Sequence, residues 1–198
     1  MSKLKICGIK DEQNAYELSL LNIDFFGLIF AKSPRQVSIE KGIKLAKIIH
    51  ENNKKVVGVF VDEDNEMILQ SAIKVGFDGV QIHKTISKEF YTRLKKQNLF
   101  VWQVVSILDK LILPQNAYYD YILFDTKGKF RGGNGTSFDW SLLENFKKDY
   151  IIAGGIGLSN IKDALNLKPF AIDINSKVEI EPGLKNVELI KELIKEFK

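Results

Sequence analysis

The stretch KVVGVFVDEDNEMILQSAIKVGFDGVQIH (residues 55–83) contains two short apolar runs on either side of a segment with helical character. The runs, at 55–61 and 79–83, are almost continuously apolar, which is typical of strands that are buried on both faces of a parallel sheet. Asp64 stands where the intervening segment needs an N-cap. The stretch therefore predicts a strand–helix–strand unit with parallel strands.

The same unit recurs along the whole chain. Amphipathic segments follow the other apolar runs, with further N-cap candidates at Ser38, Ser87, Asp139 and Ser159. The segment at 106–117 is the weakest helix candidate because Pro114 truncates it. In all, the sequence predicts eight strands, at 4–7, 24–30, 55–61, 79–83, 99–105, 119–125, 150–154 and 170–175.

Eight strand–helix units without a break in composition predict a parallel sheet with crossover helices. An open doubly wound sheet usually has five or six strands, so eight favour a closed (β/α)₈ TIM barrel. The open sheet would become the better interpretation if one strand were falsely counted. Because a typical barrel has about 250 residues, this chain of 198 must have short loops. We expect residues 1–198 to form a single domain.

Composition narrows the class of protein. The chain is 45% hydrophobic and 27% charged, with one cysteine and a net charge of +4. One cysteine forms no internal disulfide, and no stretch approaches the roughly 18 apolar residues of a membrane span. The N-terminus lacks the pattern of a signal peptide. We therefore expect a cytoplasmic protein with no membrane or nucleic-acid partner, since its basic residues are scattered among acids. The oligomeric state is left open, with a monomer favoured over a homodimer.

Active sites of TIM barrels lie at the C-terminal ends of the strands. This rule selects polar or glycine-rich positions, which are Cys7, Arg35, Val61–Asp62, His83, Gln103, Asp125, Ala153–Gly155 and Asn175–Ser176. Glycine clusters at 131–135 and 153–157 follow the sixth and seventh strands. Their backbone N–H groups suit a phosphate, which such barrels often bind at the last strands, although tight turns alone would also explain them.

Cys7 and Asp125 are the candidates for acid–base chemistry. A lone buried cysteine is more often a packing residue, and an aspartate at a strand end is often a cap. Strand alternation, however, places Lys5 on the same face as Cys7. A buried lysine would favour the thiolate, so we hypothesise that Lys5 lowers the pKa of Cys7 from about 8.5.

The sequence predicts neither a metal nor a cofactor. His50 and His83 are the only histidines, and they belong to no zinc-site spacing. Neither the P-loop pattern nor the dinucleotide-binding glycine pattern is present.

At these same positions the sequence resembles the phosphoribosylanthranilate isomerases of tryptophan biosynthesis. The combination of several matches is specific where any one alone would be weak. The matching segments are KICGI (5–9), Ser33-Pro34-Arg35, VVGVFV (56–61), VQIH (80–83), FDTKGKFRGGNGTSFDW (124–140), IAGGIGLSN (152–160) and IDINSKVEIEPGLKN (172–186).

The resemblance implies a TIM barrel that catalyses an Amadori rearrangement of a phosphorylated small-molecule substrate without a cofactor. Asp125 would be the general acid and Cys7 the general base. Arg35 would hold the anthranilate carboxylate, and His83 would line the pocket. The phosphate would be held by the backbone at Gly132, Gly133, Gly154, Gly155, Ser176 and Lys177.

Three residues depart from the family's usual pattern. Lys84 and Lys177 stand where glycine is usual, and Asn186 stands where aspartate is usual. Lysine lacks easy access to positive φ, so Lys177 either distorts the phosphate loop or adds a charge to it.

Other phosphate-binding barrels are the closest rivals. Indole-glycerol-phosphate synthase would need further catalytic lysine and glutamate positions, and the histidine-pathway isomerase would have aspartate in place of Cys7. A barrel that binds a phosphorylated metabolite without turnover is the alternative from another class. The retained pair of Cys7 and Asp125 argues against that last alternative.

Overall fold

A computed structural model describes residues 2–115, 117–126 and 137–197. Eight parallel strands pair in sequence order, and the last pairs with the first to close a barrel. This confirms the predicted TIM barrel and all eight predicted strands. The strands are β1 (Lys3–Cys7), β2 (Phe25–Ile29), β3 (Lys55–Phe60), β4 (Gly79–Ile82), β5 (Phe100–Ile107), β6 (Tyr121–Thr126), β7 (Tyr150–Ile152) and β8 (Ala171–Ile174).

Helices cover the outside of the barrel. They are α1 (Glu12–Ser19), α2 (Ile39–Glu51), α3 (Asn65–Val75), α4 (Lys88–Lys96), α5 (Ile161–Asn166) and α6 (Val187–Lys195). A short antiparallel hairpin of β9 (Glu179–Glu181) and β10 (Leu184–Lys185) precedes α6. None of the helices in the described ranges combines the length and apolarity that crossing a bilayer requires.

Most of the predicted N-caps are confirmed. The side chains of Ser38, Asp64 and Ser87 each accept a hydrogen bond from a backbone N–H in the first turn of α2, α3 and α4. Asp139 caps only a 3₁₀ turn, Trp140–Leu143. The prediction for Ser159 is wrong because α5 begins after Asn160, whose side chain serves the preceding glycine loop instead.

Two crossovers depart from the regular pattern of eight strand–helix units. Between β5 and β6, none of the described residues is helical. Pro114 lies in this connection, where it removes a backbone donor and opposes helix formation. Between β6 and β7, the described part of the connection contains only the 3₁₀ turn. Among the described residues, the barrel therefore has fewer covering helices than the sequence pattern predicts.

The sheet separates two apolar cores. The larger core lies between the strands and the helices. The smaller core fills the barrel interior and consists of Phe25, Val57, Trp102, Val104, Leu123, Ile151, Ala153 and Ala171. Phe25 packs edge-to-face on Trp102, with ring centroids 5.0 Å apart, and Phe100 stacks on the same indole. Because these aromatic rings fill the N-terminal half of the barrel, an open pocket forms at the C-terminal end.

Candidate active site

A cavity of about 430 Å³ opens at the C-terminal end of the barrel. Twelve of the sequence-predicted site residues line it together, namely Cys7, Arg35, Val61, Asp62, His83, Asp125, Ala153, Gly154, Gly155, Asn175, Ser176 and Lys177. They come from seven different strands or strand-end loops that are distant in sequence, as the barrel rule requires. Gly132 and Gly133 lie outside the described residues.

A layer of buried polar side chains forms the floor of this cavity. Lys5 is fully buried, and its Nζ donates to Asp173 Oδ2 at 2.6 Å and to Gln81 Oε1 at 2.8 Å. The same ammonium lies 5.8 Å from the centroid of the Trp102 ring below it. Burial alone would lower the pKa of Lys5, but the charges of Asp173 and Cys7 outweigh it and raise that pKa. Lys5 is therefore a cation at neutral pH.

Cys7 ends β1 and is buried at the edge of the cavity. Burial is the largest influence on its pKa and raises it, since a thiolate is poorly solvated there. Lys5 acts in the opposite direction, as hypothesised from strand alternation, and so does Lys185. Asp173 opposes both lysines, and the net result is a raised pKa rather than the lowered one that the sequence predicts. At neutral pH, Cys7 is a thiol.

Asp125 lies near the end of β6 and is half-buried in the same cavity. Burial and the negative charge of Asp173 raise its pKa to about 6, against the opposing effects of a backbone hydrogen bond and Lys5. That hydrogen bond is donated by Thr126 N to Asp125 Oδ1 at 2.8 Å. Gly154 packs directly on this carboxyl, since an added Cβ would lie 2.8 Å from Oδ1. A carboxyl with such a pKa is able to act as an acid near neutral pH.

His83 follows β4 and lines the cavity as a neutral imidazole. Burial and the charge of Lys5 lower its pKa to about 4, with Glu63 acting weakly in the other direction. A neutral ring offers one donor and one acceptor but no positive charge.

Arg35 is held by an acid that sequence reasoning missed. Its Nε and Nη2 donate to the two carboxylate oxygens of Glu179, at 2.8 and 2.6 Å. Lys185, a buried residue of β10, donates to Glu179 at 2.7 Å and to Asn175 Oδ1 at 2.8 Å. The Glu179 contact fixes the plane of the guanidinium at the cavity edge. None of the described residues accepts from the remaining N–H donors of Arg35, which could therefore bind an anion.

The loops after β7 and β8 form a second region rich in backbone donors. Gly154 has a φ of +89° and Gly155 a φ of +65°, a left-handed turn that glycine makes without strain. Within the described ranges, no protein acceptor takes their backbone N–H groups. Asn160 fixes the loop by accepting from Gly157 N at 2.9 Å and donating to the Gly155 carbonyl. A Cβ on Gly157 would lie 2.9 Å from that of Lys177, so the two loops pack tightly together.

The three departures from the family pattern fit without distortion. Neither Lys84 nor Lys177 has a positive φ, so glycine is not required at either position. Lys84 donates to the carbonyl of Glu63 and thereby ties the loop after β3 to the end of β4. Asn186 caps α6, its side chain accepting from Leu189 N at 3.0 Å. Lys177 therefore adds a charge at the cavity without backbone strain, while Lys84 supports a neighbouring loop.

Sequence reasoning overlooked four residues and misplaced one. Gln81 and Asp173 lie two positions before the predicted cavity residues His83 and Asn175, and Lys5 stands in the same relation to Cys7. A polar residue at that spacing inside an apolar strand was the available signal, because side chains two apart share a face. Glu179 and Lys185 carried no such signal. The prediction that Gln103 lies at the C-terminal end of its strand is wrong. β5 continues to Ile107, and the Gln103 side chain donates to the Ile82 carbonyl.

The cavity combines a carboxyl, a thiol and two groups of hydrogen-bond donors, on Arg35 and on the loops after β7 and β8. Asp125 is poised to donate a proton, and Cys7 offers a base once it is ionised. Arg35 and the glycine loop suit a ligand with two anionic groups, one near β1 and β2 and one near β7 and β8. Across residues 2–115, 117–126 and 137–197, no three His, Cys, Asp or Glu side chains are grouped as a metal site would require.

Comparison with known proteins gives a consistent result. Residues 4–196 match the family model described as N-(5'phosphoribosyl)anthranilate (PRA) isomerase. The N-(5'-phosphoribosyl)anthranilate isomerase of Campylobacter jejuni is 55% identical to this chain, and the alignment covers the full length of both proteins.

Solved structures agree with the sequence matches. The crystal structure of the phosphoribosyl anthranilate isomerase of Thermotoga maritima aligns with a TM-score of 0.84 at 30% identity, covering 99% of this chain and 98% of the other. A phosphoribosyl anthranilate isomerase in complex with reduced 1-(o-carboxyphenylamino)-1-deoxyribulose 5-phosphate aligns with a TM-score of 0.81 at 28% identity, with the same coverage. By fold, by full-length identity and by family model, the chain belongs to the N-(5'-phosphoribosyl)anthranilate isomerase family.

Proposed function

We propose that this protein converts N-(5-phosphoribosyl)anthranilate to 1-(2-carboxyphenylamino)-1-deoxyribulose 5-phosphate in tryptophan biosynthesis, with Asp125 as general acid and Cys7 as general base. The assignment of these roles rests on one observation, which is that Asp125 and Cys7 lie in the same cavity. A carboxyl with its pKa raised to about 6 and the chain's only cysteine line one cavity. Family membership supplies the reaction, and the raised pKa of Asp125 together with the thiol of Cys7 in the same cavity supports the two roles.

In the first step Asp125 protonates the ring oxygen of the ribose. The bond between that oxygen and C1′ breaks as the nitrogen lone pair forms a C=N bond, which gives a protonated Schiff base. The raised pKa serves this step because the carboxyl must arrive carrying its proton. The hydrogen bond from Thr126 N to Oδ1 stabilises the carboxylate that remains.

In the second step the thiolate of Cys7 removes the proton from C2′. The electron pair of the C–H bond forms a C1′=C2′ double bond, and the iminium nitrogen accepts electrons to become an enolamine. Tautomerisation moves a proton to C1′ and gives the C2′ ketone. Lys5 and Lys185 support this step because their charges favour the thiolate against the cost of burial.

Two anionic groups of the substrate give it one orientation in the cavity. The anthranilate carboxylate binds the free N–H donors of Arg35, whose plane Glu179 fixes by a bidentate contact. The phosphate binds the backbone at Gly154, Gly155, Ser176 and Lys177, which line the same cavity. The sugar then lies between them, above the polar floor and within reach of the acid and the base.

Removal of either proton-transfer group tests the assignment. We expect Cys7→Ala and Asp125→Asn each to lower kcat by about 10²–10⁴-fold while binding of the reduced product analogue stays within about threefold of the unmodified protein. A fluorescence assay that follows loss of phosphoribosylanthranilate made in situ measures turnover. Asp109→Asn, an exposed aspartate in the connection after β5, is the matched control. Full turnover in either site variant would refute the mechanism.

The chain's single cysteine allows a direct test of the electrostatic role of Lys5. We expect Lys5→Met to raise the pKa of Cys7 further, because it removes a cation that favours the thiolate and leaves the opposing charge of Asp173. The pH dependence of alkylation by iodoacetamide reports this pKa. Lys3→Met, which changes an exposed lysine on the same strand, is the control. An unchanged thiol pKa in Lys5→Met would dispose of the hypothesis.

The charge that Lys177 brings to the phosphate region is tested by a variant that keeps its backbone. We expect Lys177→Met to raise KM by about 3- to 10-fold with little change in kcat, since a partly exposed charge pair contributes modestly to binding. Lys47→Met on the exposed face of α2 is the control. An unchanged KM would show that only the backbone at this position matters.

A further inference from the structure

One oxygen in the floor of the cavity has no partner within the described part of the chain. Asp173 is buried, with 6% of its surface exposed, and its Oδ2 accepts from Lys5 Nζ at 2.6 Å. Its other oxygen, Oδ1, is buried and accepts no hydrogen bond from any described residue. Asp173 nevertheless lines the cavity above it. Buried carboxylate oxygens are ordinarily satisfied, so this one requires an explanation.

Pairing with Lys5 does not explain the free oxygen. One oxygen already makes the ion pair, and Gln81 takes a further donor of the same ammonium at 2.8 Å. A purely structural carboxylate would have its second oxygen satisfied by protein, as both oxygens of Glu179 are by Arg35. Oδ1 of Asp173 instead belongs to a side chain that faces the space where a ligand binds.

We infer that Asp173 is a substrate-binding residue whose Oδ1 accepts a hydrogen bond from a hydroxyl of the substrate's sugar. The inference rests on the proposed function, which supplies a pentose phosphate as the ligand. Anthranilate carboxylate and phosphate are both anions, which a carboxylate repels. The sugar hydroxyls are neutral donors, and a charged acceptor binds them strongly in a site that excludes water.

The position of Asp173 places that hydroxyl beside the reacting carbon atoms. On the neighbouring strand, Asp173 pairs in register with Lys5, which lies two residues before Cys7 on the same face. Its charge acts on both Cys7 and Asp125. A hydroxyl held at Oδ1 therefore fixes the middle of the substrate, while Arg35 and the glycine loop hold its two anionic ends.

The test is a cycle that combines Asp173→Asn with removal of ligand hydroxyls. Calorimetry gives Kd for the reduced product analogue and for analogues that each lack one sugar hydroxyl. In the unmodified protein we expect one deletion to weaken binding by about 10- to 100-fold. In Asp173→Asn the same deletion should cost at least about threefold less than in the unmodified protein, because the amide oxygen is a neutral and weaker acceptor than the carboxylate.

A second pair of variants controls for misfolding of Asp173→Asn. Asp173→Asn leaves Lys5 buried without a counter-charge, so the cycle is repeated in Lys5→Gln/Asp173→Asn, which removes both charges. Lys5→Gln alone keeps the Asp173 carboxyl and serves as its reference. A purely structural role for Asp173 would weaken binding of every analogue equally in the variants.

The outcomes separate this inference from the proposed function. If every hydroxyl deletion costs as much in the Asp173 variants as in their references, the inference is overturned while the isomerase function stands. If the unmodified protein neither binds the analogue nor isomerises phosphoribosylanthranilate, the proposed function fails, and this inference fails with it. The inference is supported if one hydroxyl deletion, and only one, costs less in the Asp173 variants than in their references.

Discussion

The ion pair between Lys5 and Asp173, 2.6 Å long and buried inside the barrel, is the interaction on which the rest of the site depends. It lies at the boundary between the aromatic rings that fill the N-terminal half and the open cavity above. Removing two charges from water is costly, and such pairs often add little to stability. The pair is better understood by its effect on the two reactive groups. It brings one positive and one negative charge to the floor of the proposed active site.

Burial and the two charges of this pair together set the pKa values of the proposed acid and the proposed base. Burial raises the pKa of both Asp125 and Cys7, Asp173 raises them further, and Lys5 lowers them. For the proposed acid, a raised pKa is useful because the group must hold a proton. For the base it is a cost, since little thiolate exists at neutral pH. The form that the proposed mechanism needs, with Asp125 protonated and Cys7 ionised, is therefore a minority of the free protein at every pH.

Sequence alone predicted the fold well because its signal is local. Continuous apolar runs mark strands covered on both faces, and side-chain caps such as Ser38 and Asp64 mark helix starts within three residues. The cavity residues followed from the rule for strand ends. The supporting contacts did not follow, because Asp173 meets Lys5 and Glu179 meets Arg35 across 168 and 144 residues of sequence. Such distant partners are brought together only by closure of the barrel.

The dependence of kcat/KM on pH tests the proposed acid–base pair most directly. Binding of the reduced product analogue, measured at each pH, corrects for the substrate phosphate, which itself titrates near pH 6. If catalysis needs protonated Asp125 and ionised Cys7, log kcat/KM is level between pH about 6 and the raised pKa of the thiol. It falls on either side of that range, with a slope of about one per pH unit. A rate that keeps rising tenfold per unit through pH 6 up to the thiol pKa would show that Asp125 is not the acid, and would contradict the account.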